Sequence, residues 1–156
     1  MLKLKSKKKP QSIAKLRESV AVLLQKLVRM KAADLNGYCS CVTCGRSAHW
    51  TEQQGGHYLE RGRHATLLEE ENLHVQCGQC NAFLMKTTSG VLRYRAFMVE
   101  TYGEGFVQDL ENQSKQVAKF TRGYLEDMKD DFKRQIAIQE QRLNGTSTQA
   151  AQERAA

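Results

Sequence analysis

Cys41-Val42-Thr43-Cys44 and Cys77-Gly78-Gln79-Cys80-Asn81 decide how this chain folds. Two C-x-x-C pairs a few dozen residues apart carry the spacing of a four-thiolate zinc site. With Cys41, Cys44, Cys77 and Cys80 as ligands the coordination sphere is closed. The ion is then structural, and its binding contributes on the order of 10 kcal/mol to folding. Gly45 permits the tight turn after the first pair. Cys39, the fifth cysteine, sits off the C-x-x-C register and reads as a bystander. It replaces Cys41 only if the loop becomes C-x-x-x-x-C.

The space between the pairs holds Gly56-His57-Tyr58 and Glu71-Asn72-Leu73-His74, and the second pair runs straight into Asn81. His57 is the candidate general base, because a neutral imidazole can take a proton from water near neutral pH and make the hydroxide that attacks a phosphodiester. Asn72 is expected to hydrogen-bond that ring and fix its tautomer. Asn81, on the first turn of a helix, offers a side-chain oxygen to a hard cation, Mg²⁺ or Mn²⁺, which would neutralise the scissile phosphate. Asn also suits a helix cap, and the two roles are compatible. His74, two residues beyond Asn72, is expected on the same strand face, within reach of metal, phosphate or His57. Arg61, Arg63, Arg93 and Arg95 are candidate phosphate clamps. Glu69-Glu70-Glu71 reads as a solvated acidic turn.

Working outward, His57-Tyr58-Leu59 after the Gly55-Gly56 pair and Leu73-His74-Val75-Gln76 read as short strands, and Cys80 to Leu84 opens a helix. Strand, strand and helix, tied by zinc to the first knuckle, make a treble clef. Upstream, Ile13, Leu16, Val20, Leu23, Leu24, Leu27 and Val28 recur at helical steps. Ser12 can cap that helix, and Asn36-Gly37 marks its end. Downstream the pattern gives helices over residues 91–102, stopped by Gly103, over 106–110, and over 117–144, where Phe120, Tyr124, Met128, Phe132 and Ile136 form a stripe. The expected organisation is a basic disordered arm (1–10), an amphipathic basic helix (11–36), a zinc-stabilised core (38–112), a C-terminal helix (117–144) and a disordered tail (145–156).

The 156 residues suit one compact domain with tails, and no stretch approaches the roughly 20 apolar residues of a membrane span. The start, Met-Leu-Lys-Leu-Lys-Ser-Lys-Lys-Lys, lacks a secretory apolar run. A reducing cytoplasm is the expected compartment, where such cysteine pairs hold metal rather than form disulfides. The net charge is +7 and unevenly placed. Residues 1–31 carry ten of the 24 bases and one of the 17 acids, while the rest holds 14 bases and 16 acids. Lys7, Lys8 and Lys9 in that arm are candidate DNA contacts, since a basic arm suits a polyanion.

Together, Cys-Val-Thr-Cys-Gly, Gly-Gly-His-Tyr, Glu-Glu-Asn-Leu-His-Val-Gln-Cys-Gly-Gln-Cys-Asn and Tyr94-Arg95 resemble the phage NinG/Rap recombination endonucleases, over roughly residues 41–110. That family falls in the HNH, or ββα-metal, superfamily, and the Cys-x-x-Cys-Asn ending with an upstream His is also similar to recombination endonuclease VII. The resemblance implies an α+β, mostly helical fold with an HNH-like core between long N- and C-terminal helices. It also implies metal-dependent cutting of Holliday junctions and D-loops in a bacterial host's cytoplasm. By it, His57 matches the catalytic His, Asn72 the middle Asn and Asn81 the metal-binding end. As candidate phosphate clamps, Arg61, Arg63 and Arg95 are the expected DNA contacts of the core. Two positions depart from the pattern. Gly56 stands where many HNH nucleases place a metal-binding Asp, and Gln54 where the NinG pattern has Asp. The second ligand of the catalytic ion is therefore open among Glu52, Gln54, Glu60 and His74.

Paired cuts across a junction imply a homodimer, with the N- and C-terminal helices as its interface. A recombinase or single-strand-binding protein is a further partner class. Two other functions fit the same motifs: a non-catalytic, zinc-stabilised DNA-binding accessory to recombination, and an HNH nuclease acting on ordinary duplex DNA.

Overall fold

The computed structural model describes residues 10–153. The expected basic arm, with Lys7, Lys8 and Lys9, lies outside them apart from Pro10. The chain is mostly helical, with two small two-stranded antiparallel sheets.

Helix α1 (Ile13–Ala32) begins where the Ser12 hydroxyl accepts the Lys15 amide at 3.3 Å. It stops at Ala33, short of the expected Asn36. The reason is local: the Asp34 carboxylate accepts the amides of Asn36 and Tyr38, which turns the chain before the helix can continue. Gly37, at φ 84°, completes that turn. Strands β1 (Tyr38–Ser40) and β2 (Ser47–His49) then form a hairpin that the periodicity did not announce, with the first C-x-x-C pair in its loop and Gly45 at φ 76°.

Strands β3 (Gln54–His57) and β4 (Leu73–Gln76) make the second hairpin, with Gly55 opposite Val75, Gly56 opposite His74 and His57 opposite Leu73. β3 starts earlier than expected because both glycines lie inside it. The next helices are α2 (Gly78–Ala82), α3 (Thr88–Tyr102), α4 (Glu104–Gln113) and α5 (Arg122–Glu153). α3 is capped by Thr87, whose hydroxyl accepts the Gly90 amide, and ends at Gly103, at φ 86°.

α5 departs from expectation at both ends. Residues 117–121 are not helical, and the Thr121 hydroxyl accepts the Tyr124 amide at the true start. At the other end the helix runs through Asn144-Gly145 to Glu153, where a disordered tail was expected. A single glycine costs only about 1 kcal/mol relative to Ala inside a helix and need not end one.

α1 and α5 lie side by side and run the same way. Arg122 at the start of α5 donates to the Gln11 carbonyl beside the start of α1, Lys26 pairs with Glu140, and Arg142 donates to the Met30 carbonyl. Leu16, Val20, Leu24 and Leu27 of α1 share one core with Leu125, Phe132, Ile136 and Leu143 of α5. Of the expected stripe, Phe132 and Ile136 are buried in this core and Phe120 and Met128 pack against it, while Tyr124 is half exposed and its neighbour Leu125 is buried instead. The apolar faces expected to join two subunits meet each other within the chain.

The β3–β4 hairpin sits between two apolar layers. Leu73 and Val75 face the α1/α5 core. On the other face His74 meets Tyr94 and Phe97 of α3, beside a second core of Tyr58, Tyr94, Met98, Val107 and Leu110. Among the described residues no helix is long and apolar enough to cross a membrane.

Leu24 and Leu125 are fully buried at the α1–α5 seam. Leu24→Ala or Leu125→Ala should each cost about 2–5 kcal/mol in denaturant unfolding, whereas exposed Val22→Ala should stay within about 0.5 kcal/mol. Equal, small effects at all three positions would contradict the packing.

Candidate functional site

The two hairpins and α2 bring the four paired cysteines together: the Sγ atoms of Cys41, Cys44, Cys77 and Cys80 all lie within 4.8 Å of one another. Sulfurs bound tetrahedrally at about 2.3 Å from one ion stand about 3.8 Å apart. Cys44 and Cys77 are separated by 3.8 Å. Cys41, Cys77 and Cys80 are buried, and Cys44 is exposed at the knuckle tip. Burial alone would raise the Cys41 thiol, yet backbone amides of Cys77, Cys44 and Thr43 bring it down to about 7. Cys80 is held well up, by burial first and then by the neighbouring thiols. One ionised sulfur thus resists a second beside it, and a divalent cation would relieve that repulsion. The four thiols could hold a metal ion. Cys39 is outside the cluster, in the α1 core, with its thiol raised by burial.

Beside the cluster opens a cavity of about 460 Å³, lined by Gln25 of α1, His57, Arg61, Arg63, Asn81 and Met85, among others. Four sequence-derived candidates therefore share one space: the base His57, the helix Asn81 and the arginines Arg61 and Arg63. His57 is only 8% exposed, and its Nε2 lies 3.2 Å from the Leu67 carbonyl. A carbonyl can only accept, so Nε2 carries the proton and Nδ1 is the basic nitrogen. Burial lowers the ring's pKa to about 4. The Asn81 amide donates to Gln54 Oε1 at 2.8 Å, which sets a second side-chain amide beside the Asn81 that lines the cavity. Arg61 pairs with Glu18 and Arg63 with Glu60, both exposed pairs of low strength.

The remaining candidates are placed elsewhere. Asn72 does not touch His57. Its oxygen accepts the Leu59 amide at 2.8 Å, and its NH₂ donates to the carbonyls of Leu59 and Thr66. It lies in a 3₁₀ turn (Glu70–Asn72) and clamps the loop between β3 and β4, while the Leu67 carbonyl does the orienting expected of it. His74 projects from the opposite face of the hairpin, because it pairs with Gly56 while His57 pairs with Leu73. Tyr94 donates to the Gly56 carbonyl at 2.9 Å, so its oxygen accepts from His74 Nδ1 at 3.1 Å. Nε2 of His74 then accepts from Tyr102 at 2.9 Å. This ring too is lowered to about 4 by burial. Arg95 is taken up by Glu104 and Glu111, the latter also bonded by Tyr58, and it joins α3 to α4 rather than reaching outward.

Gly56 is tightly packed: a Cβ there would stand 1.9 Å from Gln76 Oε1, so any side chain at this position requires the buried Gln76 to move. Gln25, Leu67 and Met85 were missed. Gln25 comes from a distant helix and Leu67 acts through its backbone, so neither leaves a side-chain signal in sequence.

A thiol cluster locking a knuckle to a hairpin and a short helix, with a basic cavity alongside, defines a small protein built around a candidate metal centre. The chain belongs to the family described as Bacteriophage Lambda NinG protein, whose family model matches residues 2–142. No curated protein and no solved structure matches it.

Native mass spectrometry should find one metal ion per chain, lost in Cys77→Ser together with cooperative unfolding; full retention in that variant would exclude Cys77 as a ligand. Acid should weaken the fold as well. His57 and His74 stay neutral when folded down to about pH 4, but an exposed histidine protonates near about 6.5, so stability present above that value is lost as pH falls between the two. Melting temperatures should drop over that window, with both ring signals still neutral by NMR at pH 6.

Proposed function

We propose that this protein is a metal-dependent, structure-selective DNA endonuclease that hydrolyses phosphodiester bonds in branched recombination intermediates such as Holliday junctions and D-loops. Zinc at Cys41, Cys44, Cys77 and Cys80 is the structural ion in this reading, and the ββα segment from β3 through α2 is an HNH-like core. The observation that carries it is the shared cavity: His57, with Nδ1 free of a proton, opens onto the same space as Asn81, Arg61 and Arg63. The NinG family match supports it.

His57 takes a proton from water at Nδ1, and the resulting hydroxide attacks phosphorus as the bond to the leaving oxygen breaks. An imidazole held near pKa 4 is a weak base, but a phosphate anion beside it favours the protonated ring and lifts that value towards neutrality. Asn81, with Gln54 as its neighbour, would hold Mg²⁺ or Mn²⁺, which supplies charge neutralisation at the scissile phosphate. Arg61 and Arg63 exchange their exposed acidic partners for phosphate at little cost. Asn72 holds the loop that carries Leu59 and Thr66, and so keeps the cavity wall in place. A homodimer would bring two such sites to one junction.

The test is cleavage of a labelled four-way junction and its matching linear duplex with Mg²⁺ or Mn²⁺. Wild type should cut the junction preferentially, and His57→Ala should lower the rate by at least about 100-fold, the usual contribution of a general base. Undiminished cutting in the variant would remove His57 from the mechanism. Equal cutting of both substrates would point to a duplex nuclease. Binding without cutting would favour the accessory DNA-binding role, for which the absence of a carboxylate at positions 54 and 56 is the specific motive.

A further inference from the structure

Phe83 is 69% exposed, more than any other aromatic side chain among the described residues. Its place in the chain is not casual. It follows α2 directly, at φ −121° and ψ −49°, and this break from helical geometry turns the chain into the 3₁₀ turn Leu84–Lys86. Asn81 and Met85, two residues to either side, both line the cavity that holds His57. The Lys86 ammonium stands over the Phe83 ring at 5.9 Å from its centroid, so a cation is already seated beside an open aromatic surface. Arg61 and Arg63 supply further positive charge on the same cavity. Nothing in the fold needs this ring, since it belongs to none of the buried clusters.

We infer that Phe83 is a stacking platform for an unpaired nucleobase, with Lys86 engaging the adjoining backbone phosphate. An exposed aromatic face beside basic side chains is the arrangement that binds single-stranded nucleic acid, because every base offers a π-face and every linkage a negative charge. A base inside a continuous duplex is already stacked on its neighbours and cannot use the ring, whereas a base at a branch point or flap can. The inference rests on the proposed nuclease reading and deepens it, by naming the feature that would favour branched over linear DNA.

Anisotropy titration of the full chain, without Mg²⁺ or Mn²⁺ so that nothing is cut, tests it on a flapped duplex and on the matching linear duplex. Phe83→Ala should weaken flap binding by about 5- to 150-fold, the range of one base–aromatic stack, and leave duplex binding within about twofold. Phe83→Tyr should restore it, and Phe83→Leu, equally apolar but without a π-face, should not. Equal losses on both DNAs, retention in the Leu variant, or no effect of Ala would overturn the platform. So would loss of self-association in Phe83→Ala with flap binding intact, which would make the ring a protein contact. Phe83-dependent flap binding with no cutting under either ion would sink the nuclease reading and keep the platform; junction cutting with Phe83-independent binding would do the reverse.

Discussion

The β3–β4 hairpin is packed on both faces, and neither face has room to spare. Towards α1, a Cβ on Gly55 would stand 2.8 Å from the Gln25 Cα; towards Gln76, one on Gly56 would stand 1.9 Å from an amide oxygen. Two consecutive glycines in a strand normally weaken it. Here they are what lets a helix and a buried glutamine close upon it. With the hairpin held from both sides, the pairing of β3 with β4 fixes which histidine faces which layer: His57, opposite Leu73, opens to the cavity, and His74, opposite Gly56, is sealed among tyrosines.

Around this rigid hairpin the polar groups divide into two kinds. Three buried ones are committed to defined partners: Asn72 to the backbone of its own loop, His57 to the Leu67 carbonyl, and His74 to two hydroxyls with a single consistent tautomer. The charged ones near the cavity, Arg61 and Arg63, are exposed and held only by solvent-screened acids. Orientation therefore resides in the neutral interior and adaptable charge at the rim. The thiol cluster fits the same plan, for it ties the β1–β2 knuckle to the start of α2 and so fixes where Asn81 stands.

The thiols were legible in the sequence because C-x-x-C spacing constrains distance directly, and α1 was legible because its apolar period and the Ser12 cap agree. Residues whose part is set by distant backbone were not. The type and neighbours of Asn72 suggested a partner for the imidazole, yet the nearest unsatisfied groups were the carbonyls and amide of the loop it closes. His74 was assigned by counting along a strand that begins only at Leu73, which moved it to the wrong face relative to His57. Arg95 looked free because its partners, Glu104 and Glu111, arrive from a separate helix. The apolar stripe leading into and along α5 was legible at Phe120, Met128, Phe132 and Ile136, and failed only at Tyr124, where docking against α1 buries the adjacent Leu125 instead.

The parallel course of α1 and α5 sets the order in which the molecule can be assembled. Helices that run the same way cannot be joined by a short loop, and the bond from Arg122 to Gln11 closes 111 residues of chain. During synthesis α1 leaves the ribosome well before α5, its main helical partner, with its apolar stripe already complete. Until α5 emerges, the β3–β4 hairpin, through Leu73 and Val75, can cover only part of that stripe. Long-range closure of this kind is slow, so the nascent chain passes through a stage at which part of a greasy helix is available to chaperones, or to another copy of itself, before α5 arrives to cover it.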